Sequence, residues 1–189
     1  YECDRDFGMS KLRVKEIAHS NGTNAITVDS GGGIRPLNTP IFWVWRSTGY
    51  TLTSGHTNMI YDKVDIDNRS AYNTSTGIYT VPVAGIYEFG WAAIGGNEHT
   101  TFRYSLARGG NRDTIVPGLD VGRVELRVDV VETGASGAEY GTNGEYCYYL
   151  ECSAGDQISV QGSRDDGASS NIYGSANYRY TYFRGKLVA

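Results

Sequence analysis

Three kinds of residue in this chain are suited to site chemistry: histidines, cysteines and closely placed carboxylates. His19, His56 and His99 share no metal-ligand spacing. No Cys or carboxylate stands at a supporting interval, so each reads as a surface residue. Cys3, Cys147 and Cys152 are odd in number and show no repeating interval, which is not a disulfide framework. Cys147 and Cys152 fall in one apparent strand at odd spacing, so they point to opposite faces and cannot bridge within it. All three cysteines read as small buried hydrophobes made in a reducing compartment. Asp165 and Asp166 are adjacent in "SRDDGASS" and offer oxygens to a hard cation such as calcium. No further oxygen ligands are spaced as in a known loop, so a turn with solvated carboxylates is expected and no cofactor is assigned. "GGGIR" leads into no helix and is not a phosphate loop. A glycosidase needs an acid and a carboxylate across a cleft. Glu98, Asp113, Asp120, Glu132 and Glu139 lie in or near loops, and nothing singles out a pair among them. The chain is therefore expected to be non-enzymatic.

The elements that would position these residues are strands. The chain has 189 residues, enough for one domain, or one domain with an appendage. Its 25 Gly suggest many turns, and its 15 Tyr suit half-buried sheet faces. From Asn38 onward the hydrophobic period is two: "IFWVWR", "IYEFGWAAI", "TFRYSLAR", "VELRVDVV", "EYCYYLEC", "DQISVQG" and "NYRYTYFRGKLV" all alternate. Turn signals such as "GGN", "TNG" and "SAGD" separate them, and about eight to ten strands are expected in two face-to-face sheets. Residues 1–37 differ. They hold two short alternating pieces, "LRVKEIA" and "NAITVDS", too little apolar material for a core of their own. The expected division is a neck at 1–37 and a head at 38–189. Net charge is −4 with no Lys/Arg run, so no nucleic-acid face is expected. No apolar stretch approaches the roughly 20 residues of a membrane span, so no membrane insertion is expected. No signal peptide opens the chain, and its start at Tyr1 points to a fragment or a processed form.

The most specific pattern is aromatic. Tyr61, Asp67, Tyr72, Tyr79 and Gly85 are followed by Tyr87, Phe89 and Trp91 at alternate positions. This resembles the signature of the complement C1q globular head, in the C1q/tumour-necrosis-factor superfamily, with Tyr for Phe at 61 and 79 and Trp at 91. "PIFWVWR" looks like that family's first strand. "AGDQISVQ" looks like the start of its penultimate strand, and "YFRGKLV" like its last. The resemblance covers Asn38 to Ala189. It implies a ten-strand antiparallel jelly-roll sandwich assembled as a homotrimer, with the aromatics in the core and Gly85 where a side chain would clash or φ must be positive. In the last strand Phe183, Gly185 and Leu187 share one face, while Tyr178, Tyr180 and Tyr182 share the other. That Tyr ladder is expected at the trimer interface.

The neck adds a second resemblance. Gly22–Gly31, "GTNAITVDSG", and Asn38–Pro40 look like the segments preceding C1q-like heads in bacteriophage tail-fibre and virion appendage proteins. No collagen-like Gly-X-Y stalk of the animal members is present. The resemblance implies a head carried on a virion, assembled in the host cytoplasm, that binds a glycan, lipopolysaccharide or outer-membrane protein of the host surface. A purely structural trimerisation head or capsid decoration protein, and a secreted complement-like recognition protein, are the alternatives. Recognition would use loops at one end of the roll: 95–100, 109–122, 132–144 and 162–176. The candidate contacts there are His99, Arg112, Asp113, Tyr140, Asn143, Arg164 and Tyr173.

Overall fold

The protein is seen in a computed structural model that describes residues 16–18, 24–28, 30–31, 34–36, 39–52, 55–96, 101–111, 125–129, 145–164 and 170–189. The chain divides into two compact units, Tyr1–Thr39 and Pro40–Ala189. The first contains an antiparallel meander of β1 (Glu16–Ala18), β2 (Asn24–Val28) and β3 (Ile34–Pro36). The third strand lies in "GGGIRP", which the sequence pattern alone did not mark as a strand. Ile34 pairs with Val28 there, and Pro36 with Ile26.

The second unit is built from β4 (Ile41–Trp45), β5 (Tyr50–Leu52), β6 (Thr57–Asn58), β7 (Lys63–Asp67), β8 (Tyr72–Asn73), β9 (Ile78–Thr80), β10 (Gly85–Ala92), β11 (Gly95–Gly96), β12 (Thr101–Arg108), β13 (Glu125–Asp129), β14 (Tyr146–Cys152), β15 (Gln157–Arg164), β16 (Ser170–Ile172) and β17 (Tyr182–Leu187). One sheet runs β14-β10-β17-β4-β7, and the other β13-β12-β15-β9-β8 with β6 on β15. A small third sheet, β11-β16-β5, sits beside them. These are the two antiparallel layers of a jelly roll. The fourteen segments among the described residues exceed the expected ten because β5, β6, β8, β9, β11 and β16 are pieces of two or three residues. Such short pieces carry too few side chains for alternation to reveal them.

The core fills the space between the layers. Tyr87, Phe89 and Trp91 of β10 point inward and are fully buried, as their spacing requires. Phe42 of β4 stacks on Tyr79 at 4.0 Å and meets Phe183 edge-on at 4.9 Å. Tyr87 stacks on Phe89 at 5.7 Å. Offset and edge-on contacts of this kind add about 0.5–1.5 kcal/mol per pair beyond simple burial. Gly85, at φ 153°, lies where a Cβ would fall on the Ala189 carbonyl oxygen and stand 2.6 Å from Leu187 Cδ1. The chain end packs too closely there for any side chain.

The Asp67–Tyr72 spacing has a local cause. Asp67 ends β7, and its carboxylate accepts the amide N–H groups of Ala71 at 3.1 Å and Tyr72 at 2.9 Å. That closes the turn and sends Tyr72 inward, where its hydroxyl accepts the Tyr61 amide at 3.0 Å. Replacing Asp67 by Ala removes a charged acceptor from three donors, the Arg69 amide at 3.3 Å included, and is expected to cost about 2 kcal/mol. Asn retains one acceptor oxygen and should recover roughly half. Urea midpoints for the three proteins check the order, and equal midpoints would refute the turn-closing role.

Candidate functional site

The outward face of the five-stranded sheet is the first surface with organised chemistry. Alternation along β10 turns Glu88 and Gly90 outward, opposite the buried Tyr87 and Phe89. Register then brings the side chains of three strands together. Glu88 pairs with Tyr149 of β14 and Lys186 of β17, and Gly90 with Cys147 and Arg184. Arg184 Nη1 donates to Glu88 Oε1 at 2.9 Å, and its Nε to Glu145 Oε1 at 2.5 Å. Lys186 Nζ lies 3.4 Å from Glu88 Oε2, to which the Tyr149 hydroxyl also donates at 3.0 Å. Gly90 makes the arrangement possible. A Cβ there would stand 2.6 Å from Glu145 Oε1 and 3.0 Å from Arg184 Nε, so any side chain would displace the pair.

Two carboxylates and two cations balance in this network. The Arg184 guanidinium and the Tyr149 hydroxyl hold Glu88 below the usual carboxylate range. Its hydrogen bond to Glu145 pushes Arg184 well up. Aromatic and aliphatic side chains surround the charges. Trp43 packs on Tyr182 at 5.2 Å, and Arg184 lies over the Trp43 ring at 5.9 Å. Burial, then the Glu145 carboxylate, pushes the Tyr182 phenol up to about 12. Ile41, Val64 and Ile66 are exposed, and a groove of about 230 Å³ runs between Trp43, Ile66, Arg184 and Lys186. Cys147 is exposed on this face, 3.4 Å from Arg184 Nη2. It is therefore not the buried hydrophobe expected from sequence. Cys152 is buried as expected, and Cys3 lies outside the described residues.

The second surface is a tyrosine-lined cleft of about 300 Å³ between Ile94, Tyr173, Ser175, Tyr178 and Tyr180. Here the expected Tyr ladder needs correction. The last strand begins at Tyr182, so Tyr178 and Tyr180 precede it and lie in bends and irregular chain. The pairing runs out because β4 ends at Trp45. The last rung is the Arg46 N–H donating to the Thr181 carbonyl at 2.9 Å. Tyr178 and Tyr180 stack on one another at 5.1 Å, and Tyr173 tilts toward Tyr180 at 6.2 Å. A residue expected in a recognition loop thus stands beside two expected at an interface.

The loops need a second correction. Arg164 ends β15, opposite Phe102, and Ser170–Ile172 form β16, so both 162–164 and 170–172 are strand, while 165–169 lie outside the described residues. Gly95 and Gly96 pair with Ile172 and Asn171. His99, Arg112, Asp113, Tyr140 and Asn143 lie outside the described residues, as do Asp165 and Asp166. His56 is exposed, as expected. Among the described residues, no three His, Cys, Asp or Glu side chains stand close enough to hold a metal ion.

Sequence reading missed the charge network, because alternation shows only which side Glu88 takes. It cannot show that the side chains of Glu145, just before β14, and Arg184, 39 positions apart, meet across Gly90.

The C1q domain family model matches residues 41–120. Among curated proteins none matches the chain. Solved structures similar to it include the globular domain of zebrafish complement 1qA protein, at 17% identity and TM-score 0.53, covering 79% of this chain and 98% of that one. The Eiger TNF from S. frugiperda shares 12% identity at TM-score 0.56, with 80% and 93% covered. Murine APRIL shares 13% at TM-score 0.52, with 80% and 100% covered. The fold is the C1q/TNF jelly roll.

Proposed function

We propose that the second unit is the head of a homotrimeric recognition protein. Three copies meet through the outward face of the five-stranded sheet, and the roll's end is presented to a cell surface. The observation that carries this is the composition of that face: Trp43, Tyr149, Tyr182 and Arg184 around a network whose charges cancel. Trp, Tyr and Arg are the residues that anchor protein interfaces. A charge network already paired within one chain is covered by a neighbour at far lower desolvation cost than isolated charges. The C1q-like signature supports three copies. The neck stretch Gly22–Gly31, similar to those of phage tail fibres, supports a place on a virion that attaches to a bacterial host. The role is binding, not catalysis.

Competition for adsorption tests this. Soluble protein is expected to inhibit adsorption of the virus to susceptible cells in a dose-dependent way, since three copies of each site act together. Saturating protein that binds no cells and leaves adsorption unchanged would instead favour a purely structural head.

A further inference from the structure

The tyrosine cleft has a defined ligand chemistry. We propose that it is a saccharide subsite that takes one neutral pyranose ring against Tyr178, Tyr180 and Tyr173. This rests on the reading of the chain as a recognition head.

The cleft is held in shape from below. Ile172 is buried in the core and leads directly into Tyr173, whose amide donates to the Ile94 carbonyl at 2.7 Å. Thr181, fully buried on the other side, donates its hydroxyl to the Tyr173 carbonyl at 2.6 Å and accepts the Ile94 amide at 3.3 Å. Ser175 N–H donates to the Arg46 carbonyl, and the Ser175 hydroxyl accepts the Asn177 amide. Both ends of 173–181 are thus fixed to the sandwich. Three tyrosines, each about two-fifths exposed or more, are displayed without being free to collapse inward. Preorganisation of that kind lowers the ordering cost of binding.

Charge decides the ligand class. The described lining residues, Ile94, Tyr173, Ser175, Tyr178 and Tyr180, carry no formal charge. Arg179, the cation in the same segment, is turned away. It donates to both Asp65 oxygens, at 3.0 and 3.2 Å, and lies over the Trp45 ring at 4.4 Å. Its charge is therefore spent on Asp65, and among the described lining residues an anionic group such as phosphate finds no counter-ion. A quaternary ammonium is held best by rings set as walls around it. Tyr178 and Tyr180 lie instead nearly parallel, at 24°. Beyond that stack Tyr178 is still 57% exposed and offers ring surface and a hydroxyl. A pyranose suits both features, with weakly polar C–H bonds over the electron-rich face and hydroxyls for hydrogen bonding. About 300 Å³ is at the small end of ligand pockets, which fits one or two sugar rings.

The test titrates the full chain with the methyl glycosides of glucose, galactose, mannose and N-acetylglucosamine, and with tetramethylammonium. Saturation-transfer NMR and Tyr ring shifts are the readouts. At least one glycoside is expected to bind with a dissociation constant on the order of millimolar. Y178A and Y180A should weaken it roughly three- to tenfold, the loss expected for one stacking ring. Y178F should keep most of the affinity, and melting curves establish that each variant folds. The proposal is overturned if no glycoside gives saturable shifts, if tetramethylammonium alone does so, or if a glycoside binds equally well to Y178A. If the protein blocks adsorption yet binds none of the glycosides, the cleft assignment fails and the recognition role stands. If a glycoside binds here but the protein neither reaches cells nor affects adsorption, the recognition role fails and the subsite stands.

Discussion

Replacing Phe89 by Ala is expected to lower the stability of the head by about 3–5 kcal/mol, the range for removing a buried aromatic ring. The ring is fully buried at the centre of β10. It stacks on Tyr87 and Phe183 and meets Tyr79 edge-on, at centroid distances of 5.7, 5.9 and 6.2 Å. These neighbours come from β9, β10 and β17, so no single strand can shift to fill the space. Thr74→Ala, in the exposed turn after β8, should stay within about 0.5 kcal/mol. Similar denaturation midpoints for the two variants would show that the core is misplaced.

The second large effect concerns assembly. Val64 and Ile66 lie on the edge strand β7 and are 46% and 43% exposed in the single chain. Changing both to Lys should cost the isolated fold little, because charged side chains are well tolerated on edge strands. In the trimer the same change buries charges without partners, at several kcal/mol each. The double variant is expected to be a folded monomer with an unchanged far-UV spectrum. A double variant that remained trimeric would remove this edge from the interface. Y182A should weaken the trimer less, since it removes one packing ring from Trp43 and introduces no charge.

Much of this was legible in the sequence because it is local. Tyr87, Phe89 and Trp91 declare a buried face by alternation alone, and the odd spacing of Cys147 and Cys152 separates their faces correctly. Asp67 was recognisable by position, yet its work as an acceptor for the Ala71 and Tyr72 amides depends on turn geometry that composition does not encode. The charge network was not legible, since it needs the register of β14, β10 and β17 at once. The tyrosine cleft was misread for a related reason. The alternation Tyr178, Tyr180, Tyr182 continues through the residues before β17, but ladder pairing requires a partner, and β4 stops at Trp45. Side-chain periodicity can outlast the strand that gives it meaning. Arg179 shows what replaces the ladder there, a salt bridge to Asp65 and a stack on Trp45.

Assembly is the premise on which the recognition head rests, and its most direct measure is particle mass. Light scattering on the purified chain at micromolar concentration is expected to give about 62 kDa, three copies of the 20.7 kDa chain. A mass of about 21 kDa at that concentration would contradict it, and would leave the aromatic and charged face of the five-stranded sheet as a solvated surface.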